Sequence, residues 1–296
     1  MQQHSDWVRL RSPHLQVEID PLGAQLSTLR NHDGADLLWN GDSAVWSGRA
    51  PLLFPIVGTL NGGSYRVGPR RFSLPRHGFA RTRRFEVRET TGTAASFRLA
   101  ADAATLQAYP FRFELDVEFV LSGATLSITT SVRNLGDTEM QASFGYHPAF
   151  RWPLPFGRPR SEHFIEFAAD EPQPIRRLNS AGLVKPTQYP TPVSSRRLRL
   201  ADALFEDDVL IFESIHSRSV LYGAQGTDRI RVGLPDAPDL GLWTKPGAGF
   251  ICIEPWHGMS DPEGFSGELS AKPGVFRVAP GGIMPIRMTI ELTQTE

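Results

Sequence analysis

From Phe111 the apolar residues Phe111, Phe113, Leu115, Val117, Phe119 and Leu121 alternate with Arg112, Glu114, Asp116 and Glu118. Successive side chains of a strand point to opposite faces, so this run predicts a strand with one buried and one solvated face. Ser122-Gly123 then gives a turn signal, after which Leu126, Ile128, Thr130 and Val132 alternate again. Together the two runs predict a long antiparallel hairpin. Shorter runs recur at 15–19, 24–29, 85–88, 97–99, 164–167, 209–212, 219–222, 230–232, 250–254 and 286–292. No long stretch carries the 3.6-residue period of an amphipathic helix. Many short strands separated by turn signals predict an all-β sandwich or barrel. The Pro- and Arg-rich segment from Arg151 to Pro192 is weakly patterned and reads as long loops on the sheet rim. Alternation resumes beyond it and nothing resembles a linker, so residues 1–296 are expected to form a single domain.

Composition supports a turn-rich globular chain. Of 296 residues, 27 are Gly and 24 are Pro, and 40% are hydrophobic, enough to bury a large core. Lys and Arg number 31 against 32 Asp and Glu, a balance that argues against an electrostatic nucleic-acid binder. The one cysteine, Cys252, excludes an internal disulfide and any multi-thiolate metal site. No stretch approaches the ~18 apolar residues of a membrane span. The charged segment Met1 to Ser12 does not read as a signal peptide, so a cytoplasmic location is expected.

The histidines sort by context. His4, His14, His32, His163 and His216 lie in polar or terminal settings and read as exposed or simply satisfied. His77 lies in Leu74-Pro75-Arg76-His77-Gly78-Phe79-Ala80-Arg81, and His147 in Phe144-Gly145-Tyr146-His147-Pro148-Ala149-Phe150. Both segments are aromatic and punctuated by Gly and Pro, the kind a rigid scaffold uses to present a side chain into a cleft. A histidine hydrogen-bonded within a loop core is the competing reading. Glu254 ends the apolar run Phe250-Ile251-Cys252-Ile253 and is followed by Pro255-Trp256. A buried carboxylate must either pair with a cation, and arginines abound here, or carry a raised pKa put to use. His147 and Glu254 each precede a proline, which biases both backbones to the extended region. No His-Glu-x-x-His or Cys-x-x-Cys spacing favours a metal, and neither a dinucleotide-binding glycine motif nor a Gly-x-Ser-x-Gly elbow is present. No metal or cofactor is therefore expected.

At these residues the chain resembles the aldose 1-epimerase (galactose mutarotase) family, especially its compact bacterial branch and the related hexose-6-phosphate 1-epimerases. The matching stretches, in family order, begin with Trp46-Ser47-Gly48-Arg49-Ala50-Pro51-Leu52-Leu53-Phe54-Pro55-Ile56-Val57-Gly58 and His77-Gly78-Phe79-Ala80-Arg81. They continue through Gly145-Tyr146-His147-Pro148-Ala149-Phe150 and Leu204-Phe205-Glu206-Asp207-Asp208. They end with Leu242-Trp243-Thr244-Lys245-Pro246-Gly247, Cys252-Ile253-Glu254-Pro255-Trp256 and Asp261-Pro262-Glu263-Gly264-Phe265.

The resemblance implies a large antiparallel β-sandwich with a sugar cleft on a concave sheet, and a small-molecule hexose or hexose phosphate as partner. It implies that Glu254 is the general base, His147 the general acid, and His77 a second histidine near the ring oxygen. It further implies that Arg49, Arg81, Asp208 and Trp243 contact sugar hydroxyls or a 6-substituent. One departure stands out: where this branch often has Gly-Arg-Leu, the chain reads Gly58-Thr59-Leu60. Thr59 cannot supply that charge, so Arg49 or Arg81 must compensate, or the substrate differs. His257 stands where a tyrosine or another neutral residue is expected. The implied activity is interconversion of α and β anomers. One acid and one base suffice for it, with Glu254 charged and His147 held as imidazolium by nearby carboxylates. A non-catalytic sugar-binding module on the same fold would need neither His147 nor Glu254. A glycoside hydrolase would want a second carboxylate in the cleft. The sequence leaves the oligomeric state open.

Overall fold

The computed structural model describes residues 6–295, so His4 and residues 1–5 of the amino-terminal segment lie outside the described residues. The expected hairpin is the centre of the architecture. Strands Phe113–Ser122 and Thr125–Asn134 pair with Leu121 opposite Leu126, Phe119 opposite Ile128 and Leu115 opposite Val132. That register brings the apolar residues of both strands onto one face, where each buried side chain contributes about 1.5–3 kcal/mol. The other face is wet: Arg98, on the adjacent strand Ala94–Ala100, forks onto both Asp116 oxygens at 2.6 and 2.7 Å. Around this hairpin runs a nine-stranded antiparallel sheet, with strand Ile283–Thr293 beside Thr125–Asn134 and strand Glu86–Thr90 at one edge.

A second, six-stranded sheet supplies the opposing layer. Its middle strand, Phe250–His257, pairs with Asp239–Trp243 on one side and with Phe144–Tyr146 and Ala149–Arg151 on the other. The chain is thus an all-β, large antiparallel sandwich, with a six-residue helix at Ala103–Ala108. No helix among the described residues is long and apolar enough to cross a membrane.

Two expectations need correction. Within the segment from Arg151 to Pro192 the expected strand Phe164–Phe167 forms and joins the large sheet, but the rest is not confined to rim loops. It also forms isolated bridges at Ile175, Arg176 and Leu178, the last two to Ile211 and Val184. These contacts span one or two residues each, too short to leave a period in the sequence. Strands Asp239–Trp243 and Phe144–Tyr146 were not foreseen as strands either. Nearly all of their residues are buried, so both faces are apolar or glycine and no alternation marks them.

Tyr146 joins the two layers. Its hydroxyl lies 2.8 Å from Thr130 Oγ1 and donates to Ile286 O at 2.9 Å, both on the large sheet. The residue that follows is His147, so this bridge anchors the histidine's backbone from behind. Tyr146→Phe removes the bridge while keeping the ring, leaving a buried hydroxyl and carbonyl short of a partner. Urea unfolding is expected to show a loss of about 1–3 kcal/mol, as unsatisfied buried polar groups cost; an unchanged midpoint would mean that the bridge contributes nothing.

Candidate active site

The site begins with strand Phe250–His257, all eight residues of which are buried. Alternation divides it: Ile251 and Ile253 face the main core, while Cys252, Glu254 and Trp256 share the opposite face. The neighbouring chain pairs Gly145 with Trp256 and Ala149 with Cys252. Carried through, that register sets His147 across from Glu254. Between the two paired stretches the ladder lapses, and there each strand carries a proline, Pro148 and Pro255, which has no N–H to donate. The side chains meet: His147 Nε2 is 3.3 Å from Glu254 Oε2. Two glycines make room beside them. A Cβ on Gly241 would lie 2.5 Å from the Trp256 indole and one on Gly145 2.7 Å from it. The indole thus slots between flanking strands, and its Nε1 donates to Glu254 Oε2 at 3.2 Å.

His77 enters from a different part of the chain. His77 and Gly78 both have left-handed backbones (φ 67° and 69°), and a Cβ on Gly78 would lie 2.3 Å from Phe54 O. Glycine is required at that close approach, and the strained turn swings the imidazole inward. The His77 amide donates to Gly58 O at 2.8 Å, and the Gly58 amide returns a bond to His77 Nδ1 at 3.0 Å. Arg76 Nε donates toward His77 Nε2 at 3.2 Å, and its charge disfavours a protonated ring. The His77 ring lies edge-on to His147, 5.9 Å between centroids.

These groups form the floor and sides of a cleft of about 270 Å³. His77, His147, Glu254, Arg81, Asp208 and Trp243 all line it, although they come from well-separated segments. Arg49 does not. Its Nη1 donates to Ser27 O at 2.9 Å and its guanidinium lies over the Trp7 ring, so the expectation that it contacts a sugar is corrected. Arg76 takes that place, joined by Trp46, Trp256 and Lys245. Trp256 could have been found, since a residue two beyond Glu254 on a strand shares its face. Trp46 stacks on His147 at 5.1 Å and meets Trp243 edge-on at 5.5 Å. Asp208 is held in a left-handed conformation (φ 64°), and its carbonyl accepts from Arg177 Nη1 at 3.0 Å. His257 points to the other face of its strand, edge-on to Phe276, where burial lowers its pKa to about 4 and keeps it neutral.

Burial dominates the electrostatics. Desolvation pushes Glu254 well above the usual carboxylate range, opposed by the Arg76 charge and the Trp256 hydrogen bond. Desolvation likewise lowers His147 to about 3, with Arg76 and Arg81 adding to the effect. Both shifts run toward the uncharged forms, a protonated carboxyl and a neutral imidazole, and away from the expected standing imidazolium. His77 is driven well below the normal histidine range by burial, then by His147 and the two arginines. His147, Cys252 and Glu254 bring their donor atoms within 4.8 Å of one another. To hold a cation, the thiol and the carboxyl would both have to ionise, against the direction in which burial pushes each.

A buried ion pair holds this side of the cleft together. Lys272 Nζ lies 2.7 Å from Asp261 Oδ1, and Asp261 Oδ2 accepts from Asn61 N at 2.8 Å. The Asp261 amide donates to Thr59 O, and the Thr59 amide to Ser260 Oγ. The segment that docks His77 is thereby tied to the chain just beyond the Glu254 strand.

The large antiparallel sandwich is that of the galactose mutarotase-like proteins. The aldose 1-epimerase family model matches residues 6–273, and the chain belongs to that family. It is 33% identical over 284 residues to the chromosomal protein LacX of Lactococcus lactis subsp. lactis, covering 92% of this chain and 95% of that one. Among solved structures it is similar to a galactose mutarotase-related enzyme from Lactobacillus acidophilus, with TM-score 0.89, 27% identity and 98% of each chain covered. It is also similar to a galactose mutarotase-like protein from Lactobacillus casei, with TM-score 0.90, 25% identity, and coverage of 97% and 100%.

Lys272→Met leaves Asp261 charged and buried with no cation. Denaturant unfolding is expected to show a loss of about 3–5 kcal/mol, the usual consequence of breaking a buried pair from one side. A change below ~1 kcal/mol would show that the clamp is dispensable.

Proposed function

We propose that this protein is an isomerase that interconverts the α and β anomers of an aldohexose by opening and reclosing the pyranose ring. The observation that carries the reading is the 3.3 Å contact between His147 Nε2 and Glu254 Oε2 at the floor of the cleft. Ring opening needs a base at the C1 hydroxyl and an acid at the ring oxygen. Those two oxygens are bonded to one carbon, so acid and base must stand close together. The pair's single proton is the correct number. Passed from Glu254 to His147 across their contact, it yields a carboxylate that takes the C1 hydroxyl proton and an imidazolium that protonates the ring oxygen. The C1–C2 bond then rotates, and the roles reverse on closure, without cofactor or covalent intermediate. His77 is held edge-on beside His147, with 5.9 Å between ring centroids. Trp46 and Trp243 offer aromatic faces to the apolar side of a sugar.

A second reading, a 6-phosphorylated hexose as substrate, has its own support: Arg76, Arg81 and Lys245 bring three cations to the cleft. The approach of freshly dissolved α-glucose, or its 6-phosphate, to anomeric equilibrium tests both. Arg76→Ala is expected to weaken binding, and more for the phosphate, whose dianion makes the stronger charge-assisted bonds. Arg49→Ala should leave both sugars unaffected.

Glu254→Gln keeps the shape and a hydrogen-bonding carbonyl but cannot accept a proton. It is expected to lower kcat by about 10²-fold or more with little change in KM, because the lost interaction belongs to the transition state. Full activity in this variant would remove Glu254 as the base.

The pH profile offers an independent check. Below about 3 His147 gains a proton and the pair holds two, so no base remains. Above the raised Glu254 pKa the pair holds none, and no acid remains. The value of kcat/KM, which reports the free enzyme, should therefore show no loss as pH falls through the ordinary histidine range and should decline as pH rises through the raised Glu254 pKa. A decline centred on the ordinary histidine pKa near 6.5 would contradict this proton count.

A further inference from the structure

Ring opening by His147 and Glu254 leaves one buried, reactive side chain beside them unused. Cys252 lies two residues before Glu254 on strand Phe250–His257, buried on the face that Glu254 and Trp256 share. Across the ladder it pairs with Ala149, whose methyl takes up little room. Three donors of different kinds thereby converge: the Cys252 sulfur, a His147 ring nitrogen and a Glu254 carboxyl oxygen lie within 4.8 Å of one another. His147 Nε2 and Glu254 Oε2, 3.3 Å apart, already have the separation of two ligands on one tetrahedral ion. Bonds of about 2.0–2.1 Å at the tetrahedral angle put their ends about 3.3–3.4 Å apart. With a bond of about 2.3 Å, the sulfur has roughly 1 Å at most to close, within reach of a small turn about its Cα–Cβ bond. His147 and Glu254 also line the cleft, so an ion between them keeps one position open to solvent.

We infer that the cleft floor binds one thiophilic divalent cation of the Zn²⁺ class through Cys252, His147 and Glu254, and that the occupied site is catalytically silent. The donor set selects the ion. A thiolate with an imidazole suits Zn²⁺ or Co²⁺, whereas Mg²⁺ and Ca²⁺ call for a shell of oxygens. On binding, the thiol and the carboxyl each release a proton to solvent, and two anions, a dication and a neutral imidazole leave the buried site uncharged as a whole. Burial favours the protonated form of both groups, so the exchange limits affinity. The cation is therefore a reversible inhibitor rather than a resident cofactor. Binding itself depends only on the three ligands. The loss of activity rests on the anomerase reading, because the ion occupies both the oxygen that takes the C1 hydroxyl proton and the nitrogen that protonates the ring oxygen.

The test titrates the full chain with Co²⁺, Zn²⁺ and Mg²⁺ and compares wild type with Cys252→Ser and Cys252→Ala. Wild type is expected to bind one Co²⁺ with the intense visible bands of a tetrahedral ion and a thiolate-to-cobalt charge-transfer band in the near ultraviolet. Zn²⁺ should displace both signals and Mg²⁺ should leave them unchanged. Each variant should lose the charge-transfer band and bind Zn²⁺ about 100-fold more weakly, the least expected when a ligand itself is removed. A wild-type spectrum without that band, or an affinity unchanged in both variants, would overturn the site and assign binding to surface histidines. Without metal, at least one variant should exchange anomers within about two-fold of wild type, while Zn²⁺-loaded wild type loses about 10²-fold or more. Full activity with the site occupied would overturn the inhibition. If wild type accelerates no sugar, the anomerase reading fails separately, and the cobalt spectrum alone decides the site.

Discussion

The arrangement depends on a carboxyl group held in the interior of a sheet directly across from an imidazole. Glu254 is 1% exposed and His147 8%, on adjacent antiparallel chains whose register sets them opposite each other. Cross-strand neighbours stand roughly 4.5–5.5 Å apart at Cβ, so the 3.3 Å contact follows from sheet geometry rather than from any flexible reach. The two prolines beside them remove ladder donors at the one place where the side chains must be free to exchange a proton. Gly145 and Gly241 then admit the Trp256 indole, which supplies Glu254 with a fixed hydrogen bond.

Burying such a pair is tolerable because it is neutral as a whole. A lone carboxylate in this position would carry a large desolvation cost. Burial pushes both groups toward their uncharged forms, which avoids that cost. The surrounding guanidiniums act on the two partners in opposite senses. Arg76 favours the carboxylate of Glu254 and disfavours the imidazolium of His147. Rigidity comes from outside the pair. Tyr146 ties the histidine strand to the large sheet, while the buried Lys272–Asp261 bond ties the His77 turn to the end of the glutamate strand. His77 and Asp208 are both non-glycine residues in left-handed conformations, and strain of this kind persists only where the framework over-determines it.

Much of this was legible in the chain. Period-two alternation at 111–121 and 126–132 marked the central hairpin, because a strand with one wet face must alternate. Ordered motifs carrying His77, His147 and Glu254 marked the family, and an isolated carboxylate ending an apolar run signalled an unusual pKa. Strands buried on both faces, such as Asp239–Trp243, were silent because burial on both sides erases the alternation. Tertiary packing alone decided the rest. Whether Arg49 or Arg76 faces the cleft depends on which way a long side chain leaves its turn, and Arg49 is drawn to Ser27 O and Trp7 instead. Whether His147 rests charged or neutral depends on how completely neighbouring segments exclude water, a property of the assembled sheets that no local run of residues encodes. Thr59 could be read as a missing charge. That Thr59 packs against Gly182 required the turn at 179–182 to be brought to it from far along the chain.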